Sequence, residues 1–177
     1  MEDLSSHVLD VVENSIEAGA QKIEIKICEN VKADRLEIEI TDDGKGMDAQ
    51  TLEKSLDPFF TTKTVRKVGL GLSLFKEAAR KANGDLCIQS DVGRGTRIIA
   101  TFQHSHIDRQ PLGDMKKTIT TLIVAHPEIQ FRYSYRKDGR TYGLNSQKLG
   151  TKRELSSLST VELIHRVKKN LEKIPQP

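Results

Sequence analysis

The sequence predicts an α+β fold, a two-layer α/β sandwich in which helices cover one face of a mixed sheet, with a small α+β extension at the C-terminal end. Three observations carry this. Residues 22–28 and 35–41 alternate strictly, setting Ile23, Ile25 and Ile27, then Leu36, Ile38 and Ile40, opposite charged residues; half-buried strands have this pattern. Residues 2–18 instead repeat Leu4, Val8, Val11, Val12 and Ile16 at helical spacing. The charge also changes sign along the chain. Residues 1–107 hold 14 Lys+Arg and 18 Asp+Glu, whereas residues 108–177 hold 14 and 7. A boundary near Ser105–Pro111 therefore separates residues 1–105 from a basic extension, 106–177.

The remaining elements follow in order. Asp48 caps a short helix to Leu56, and Gly69–Ala82 is a Leu- and Ala-rich helix stopped at Asn83-Gly84. Asp85–Ser90 and Thr96–Gln103 are strands joined by the turn at Asp91–Gly95. In the extension, Leu112–Val124 is read as a helix, and Ile129–Tyr135 and Thr141–Leu144 as strands around Lys137-Asp138-Gly139. Ser159–Ile174 is a final helix, with Ser159 and Glu162 spaced as a capping box.

Composition excludes several classes. A hydrophobic content of 36% against 30% charged residues belongs to a globular chain, and no apolar run reaches the about 20 residues of a membrane span. The acidic start Met1-Glu2-Asp3 is unlike the basic start of a secretory signal. Cys28 and Cys87 fit reduced core thiols, so the expected compartment is the cytoplasm.

Four motifs carry chemistry. Asp42-Asp43-Gly44-Lys45-Gly46-Met47 follows a strand directly. Its carboxylate can accept from an amino group, and its glycines let the backbone approach a flat ligand. Asp57-Pro58-Phe59-Phe60-Thr61-Thr62-Lys63 combines adjacent aromatics with donors suited to phosphate. Gly69-Leu70-Gly71-Leu72-Ser73 opens a helix, where free amides and the dipole favour an anion. Asp10, Asn14 and Glu17 share one helix face, offering hard oxygen ligands for Mg²⁺. Taken singly, each motif is matched by a plain loop, a packing anchor or a solvated face.

In this order the four closely resemble the N, G1, F and G2 boxes of the Bergerat-fold superfamily of gyrase, heat-shock chaperone, histidine kinase and mismatch-repair ATPases. Gly93-Arg94-Gly95-Thr96 matches the turn before that family's last strand. The resemblance spans about Leu4 to Phe102. It implies ATP and Mg²⁺ as ligands: Asn14 holding the metal, Asp42, Gly44, Gly46, Met47 and Thr96 around the base, and Phe60, Thr62, Lys63, Gly69, Leu70, Gly71 and Leu72 at the phosphate side. Asp10 stands where the hydrolysing members place a glutamate, and it is the expected catalytic base. The helix around Asn14 resembles the mismatch-repair and gyrase version, whereas Phe59–Lys63 and Gly69–Ser73 resemble histidine kinases.

The five histidines precede Val8, Ser105, Ile107, Pro127 and Arg166. None shows the His-acidic pair of a phosphoacceptor helix. The resemblance thus turns to stand-alone members such as anti-sigma-factor serine kinases. It implies a phosphotransferase, or its ATP-binding component, acting on a separate protein. The alternative is an ATP/ADP-controlled binding switch with little catalysis. A homodimer is left open. The extension's Arg132, Tyr133, Tyr135, Arg136 and Arg140 mix cations with aromatics as nucleic-acid surfaces do. Strand alternation explains that mixture more simply. A tail strand at Ile129–Tyr135 is expected either to join the sheet or to build a small second unit.

Overall fold

A computed structural model of the chain describes residues 3–55 and 71–175. Its elements run α1 (Leu4–Glu17), β1 (Lys22–Asn30), β2 (Arg35–Asp42), α2 (Ala49–Lys54), α3 (Gly71–Lys81), β3 (Leu86–Asp91), β4 (Gly95–Gln103), α4 (Met115–Ala125), β5 (Gln130–Lys137), β6 (Arg140–Asn145), α5 (Lys152–Ser157) and α6 (Thr160–Leu171). The strands form one mixed six-stranded sheet of order β3-β4-β2-β1-β5-β6. Only β1 and β5 pair in parallel among the described strands; the other neighbours are antiparallel.

Alternation places one apolar row after another on a single face. Ile25 lies opposite Ile40 of β2 and Tyr133 of β5, and Ile38 opposite Ala100 of β4. All five are buried, and they join one core with Val8, Val11 and Val12 of α1, Phe75 of α3, Ile119 of α4 and Val167 of α6. Each buried aliphatic side chain contributes about 1.5–3 kcal/mol, so this layer dominates the stabilisation. The opposite face is charged: Lys26 pairs with Glu24 and Glu39, and Arg97 with Glu39. This is the α+β sandwich with helices on one face that the patterns predict.

The extension enters the same sheet. Gln130 N–H donates to the Gln21 carbonyl at 2.9 Å, and eight β5 residues then run in register along β1 from Lys22. Alternation turns Tyr133 and Tyr135 inward to full burial and leaves Arg132 and Arg136 exposed. Arg132 and Arg136 therefore lie on the face opposite the aromatics. Helix α5, not expected from the sequence, starts with a complete Thr151–Glu154 capping box, as α6 does with Ser159–Glu162.

Glu29 continues the inward phase of Ile23, Ile25 and Ile27, so a carboxylate is buried where β1 meets the extension. Tyr135 O–H donates to it at 2.7 Å, His104 Nε2 lies at 2.8 Å and Lys137 Nζ at 3.6 Å. Burial raises the pKa of this carboxyl, but the bonds from Tyr135 and His104 outweigh it and hold the group below its ordinary value. A depressed carboxyl stabilises the fold above its unfolded pKa of 4.5 and loses that contribution as pH falls through the native value. Glu29→Gln is therefore expected to be less stable than the native chain near pH 7, with the gap narrowing as pH falls below 4.5. Urea midpoints across that range check it, and a gap independent of pH contradicts it.

Removing 106–177 strips β5 from β1 and uncovers Ile23, Ile25 and Ile27. The chain ending at Ser105 is expected to melt at least about 10 °C lower or without a cooperative transition. A thermal scan matching the full chain contradicts this.

Candidate nucleotide-binding site

Helix α1 begins at Asp3, whose carboxylate accepts from Ser6 N–H at 2.9 Å. Its apolar stripe packs on the sheet, and Ser15 falls on that stripe four residues after Val11, fully buried. Asn14 is half-buried beside it, and Asp10 lies exposed one turn earlier.

The inner-face alternation of β2 ends at Asp42. Its carboxylate, only 8% exposed, accepts Ser15 O–H at 2.7 Å, Gly44 N–H at 2.9 Å and Thr96 N–H at 3.3 Å. A carboxylate offers about four lone-pair sites. Three donors from the protein leave capacity for one more, and an exocyclic amino group suits it.

The loop after Asp42 is clamped from both sides. Asp43 Oδ1 accepts Gln21 and Lys22 N–H, both at 2.8 Å, and Lys45 N–H donates to the Ala18 carbonyl at 3.0 Å. From the β3–β4 turn, Gly93 N–H donates to the Lys45 carbonyl at 2.8 Å, while Met47 N–H donates to Ser90 Oγ at 2.8 Å. Gly46 has φ +66°, and a Cβ there would run into the Asp91 carbonyl. Gly44 is buried, and a Cβ on it would sit 3.1 Å from the Ala18 side chain. These glycines let the loop lie flat between α1 and the turn.

Helix α3 closes the next side. A Cβ on Gly71 would lie 3.2 Å from Asp10 Oδ2, so the first residue of α3 faces the predicted base. One turn further in, Phe75 stacks on His7 of α1 at 5.1 Å. Leu72 packs half-buried against the core. Burial lowers the His7 pKa against the raising effect of its Gln110 bond, so the stacked ring favours the neutral form.

Of the residues expected at the site, Asp10, Asn14, Asp42, Gly44, Gly46, Met47, Gly71, Leu72 and Thr96 come from elements that meet at one end of the sheet's inner face. Phe60, Thr62, Lys63, Gly69 and Leu70 lie outside the described residues. Among the described residues no three His, Cys, Asp or Glu side chains gather as a metal cage. Ser15 and Ser90 were not expected at the site. Ser15 had a local signal, a polar residue on an apolar stripe; Ser90 needed the pairing of β3 with β4.

A family profile described as "Histidine kinase-, DNA gyrase B-, and HSP90-like ATPase" matches residues 2–106, more than half of the chain. The chain belongs to this ATPase family. Curated relatives include the sensor protein kinase FleS of Pseudomonas aeruginosa, 42% identical over 89 residues, which cover 50% of this chain and 22% of FleS. The sensor histidine kinase ZraS of Escherichia coli O157:H7 is 32% identical over 110 residues, covering 62% of this chain and 24% of ZraS. The chain spans less than a third of the length of these kinases. A solved structure, the N-terminal domain of a DNA repair protein, superposes with a TM-score of 0.60 at 19% identity, over 89% of this chain and 56% of that one. That likeness is one of fold and extends beyond the family match. No helix among the described residues is long and apolar enough to cross a membrane.

Gly46→Ala meets both a left-handed φ and a backbone carbonyl. It is expected to cost about 2 kcal/mol or more. A melting temperature within about a degree of the native chain would contradict the clamped loop.

Proposed function

We propose that this chain binds Mg-ATP at the Asp42 end of the sheet and passes the γ-phosphoryl group to an acceptor on another protein. The observation that carries the proposal is the Asp42 carboxylate, held by three protein donors with capacity for one more, at the foot of the helix bearing Asn14 and Asp10. ATP with magnesium supplies an activated phosphoryl group whose transfer demands mainly positioning and charge neutralisation. In this reading Asp42 receives the base's amino group, with Gly44, Gly46, Met47 and Thr96 around it. The Asn14 amide oxygen holds magnesium. The start of α3 at Gly71 and Leu72, with Phe60, Thr62, Lys63, Gly69 and Leu70, receives the phosphates. Asp10 takes the proton leaving the acceptor, and ADP is the other product.

The likeness to sensor kinases supports phosphoryl transfer. Transfer in trans is supported by this chain's histidines, none of which precedes an acidic residue. A second reading, an ATP/ADP-controlled binding switch, is favoured by Asp10 itself. Aspartate reaches one methylene less than glutamate, and its carboxylate already lies against Gly71.

Incubation of the chain and its co-purifying proteins with γ-labelled ATP separates the two. Labelling of a partner is expected, with loss of about a hundredfold or more in Asp10→Asn at little change in ATP affinity. Tight ATP binding without any labelled partner would overturn phosphoryl transfer. In that case a partner affinity that differs between ATP and ADP, and persists in Asp10→Asn, would establish the switch.

A further inference from the structure

Ser90, Thr96 and Asp42 stand side by side at the ends of β3, β4 and β2. Register places Ser90 opposite Thr96 and Thr96 opposite Asp42, all in phase with the buried face of their strands. Below them the face is apolar, with Ile88, Ile98 and Ile40 in the next row. The three polar residues thus form one row across the strand ends, bordered by an apolar row.

Three hydrogen-bond contacts meet at Ser90 Oγ. Met47 N–H lies at 2.8 Å, the Gly95 carbonyl at 3.0 Å and Thr96 Oγ1 at 2.9 Å. An amide N–H only donates and a carbonyl only accepts. Ser90 has one proton, so its bond to the Gly95 carbonyl uses it. The contact with Thr96 then requires Thr96 to donate to Ser90. One assignment satisfies all three contacts, and it leaves Thr96 Oγ1 with lone pairs alone. Thr96 N–H is directed at Asp42, whose ionised carboxylate also only accepts.

We propose that Ser90 is a positioning residue that locks the Thr96 hydroxyl as an acceptor, so that the pocket selects a purine by its 6-amino group and disfavours a 6-oxo group. The inference rests on reading the pocket as an ATP site. A base carrying an amino group presents protons to a wall of acceptors. A base carrying a 6-oxo group places a carbonyl against them, and no donor on the row can turn to meet it. Substituting Ser90 releases the Thr96 proton to turn into the pocket.

The test compares ATP with ITP, which replaces the 6-amino group by an oxo group, using calorimetric titration with magnesium. The native chain is expected to bind ATP at least about tenfold tighter than ITP. Ser90→Ala should narrow that ratio to about threefold or less, mainly by improving ITP, and Ser90→Thr should restore it. A purely structural role for Ser90 would weaken both nucleotides together. Absence of native ATP binding would overturn the ATP reading itself and this inference with it. Native ATP binding with an unchanged ratio in Ser90→Ala would overturn only the role of Ser90. Should Ser90→Ala fail to fold by circular dichroism, Thr96→Val decides: loss of the acceptor lowers the ATP preference, and an unchanged ratio overturns the proposal.

Discussion

A carboxylate at the end of an apolar sheet face must find donors, because an unpaired buried charge costs several kcal/mol. Asp42 is that carboxylate, and its three donors come from three separate parts of the chain: Ser15 on α1, Gly44 in the following loop and Thr96 on β4. Satisfying it brings the end of α1, the glycine loop and the β3–β4 strand pair to one place. The backbone bonds of Lys45 to Ala18 and of Gly93 to Lys45 lock the same three parts together. The donors of Asp42 and the packing of this end of the molecule are one arrangement.

The opposite end repeats the solution with different donors. Glu29 is buried in the same inward phase and is held by Tyr135, His104 and Lys137. Two of these, Tyr135 and Lys137, come from the extension, and the third follows β4 directly. The basic segment is tied into the sheet by β5 and anchored through a charge it helps to bury. The DNA-repair domain that superposes on 89% of the chain shares this larger fold, whereas the family match ends at residue 106.

Much of the architecture was legible from periodicity. The strands at Lys22–Asn30 and Arg35–Asp42 and helix α1 follow the alternation and helical spacing that predict them, and Ser159–Glu162 caps α6 as its spacing indicates. Helix α5 was missed although Thr151 and Glu154 carry the same capping signal, because six residues hold too little periodicity to register. The alternation along Ile129–Tyr135 marks a strand, seen at Gln130–Lys137, but periodicity does not name a neighbour, so its parallel seat against β1 is fixed only by the fold.

The sequence by itself determined the α+β class through its periodicity, and it carried the family resemblance through the order of the boxes that bear Asn14, Asp42 and Gly71. Those features are written within short stretches of chain, where residue type and period suffice. Only the tertiary structure decided which side chains complete them. Ser15 meets Asp42 across 27 residues, Ser90 meets Met47 across 43, and Glu29 meets Tyr135 across 106. A hydrogen bond needs atoms placed to a few tenths of an ångström, and strand register and helix docking, which no local pattern encodes, supply that placement.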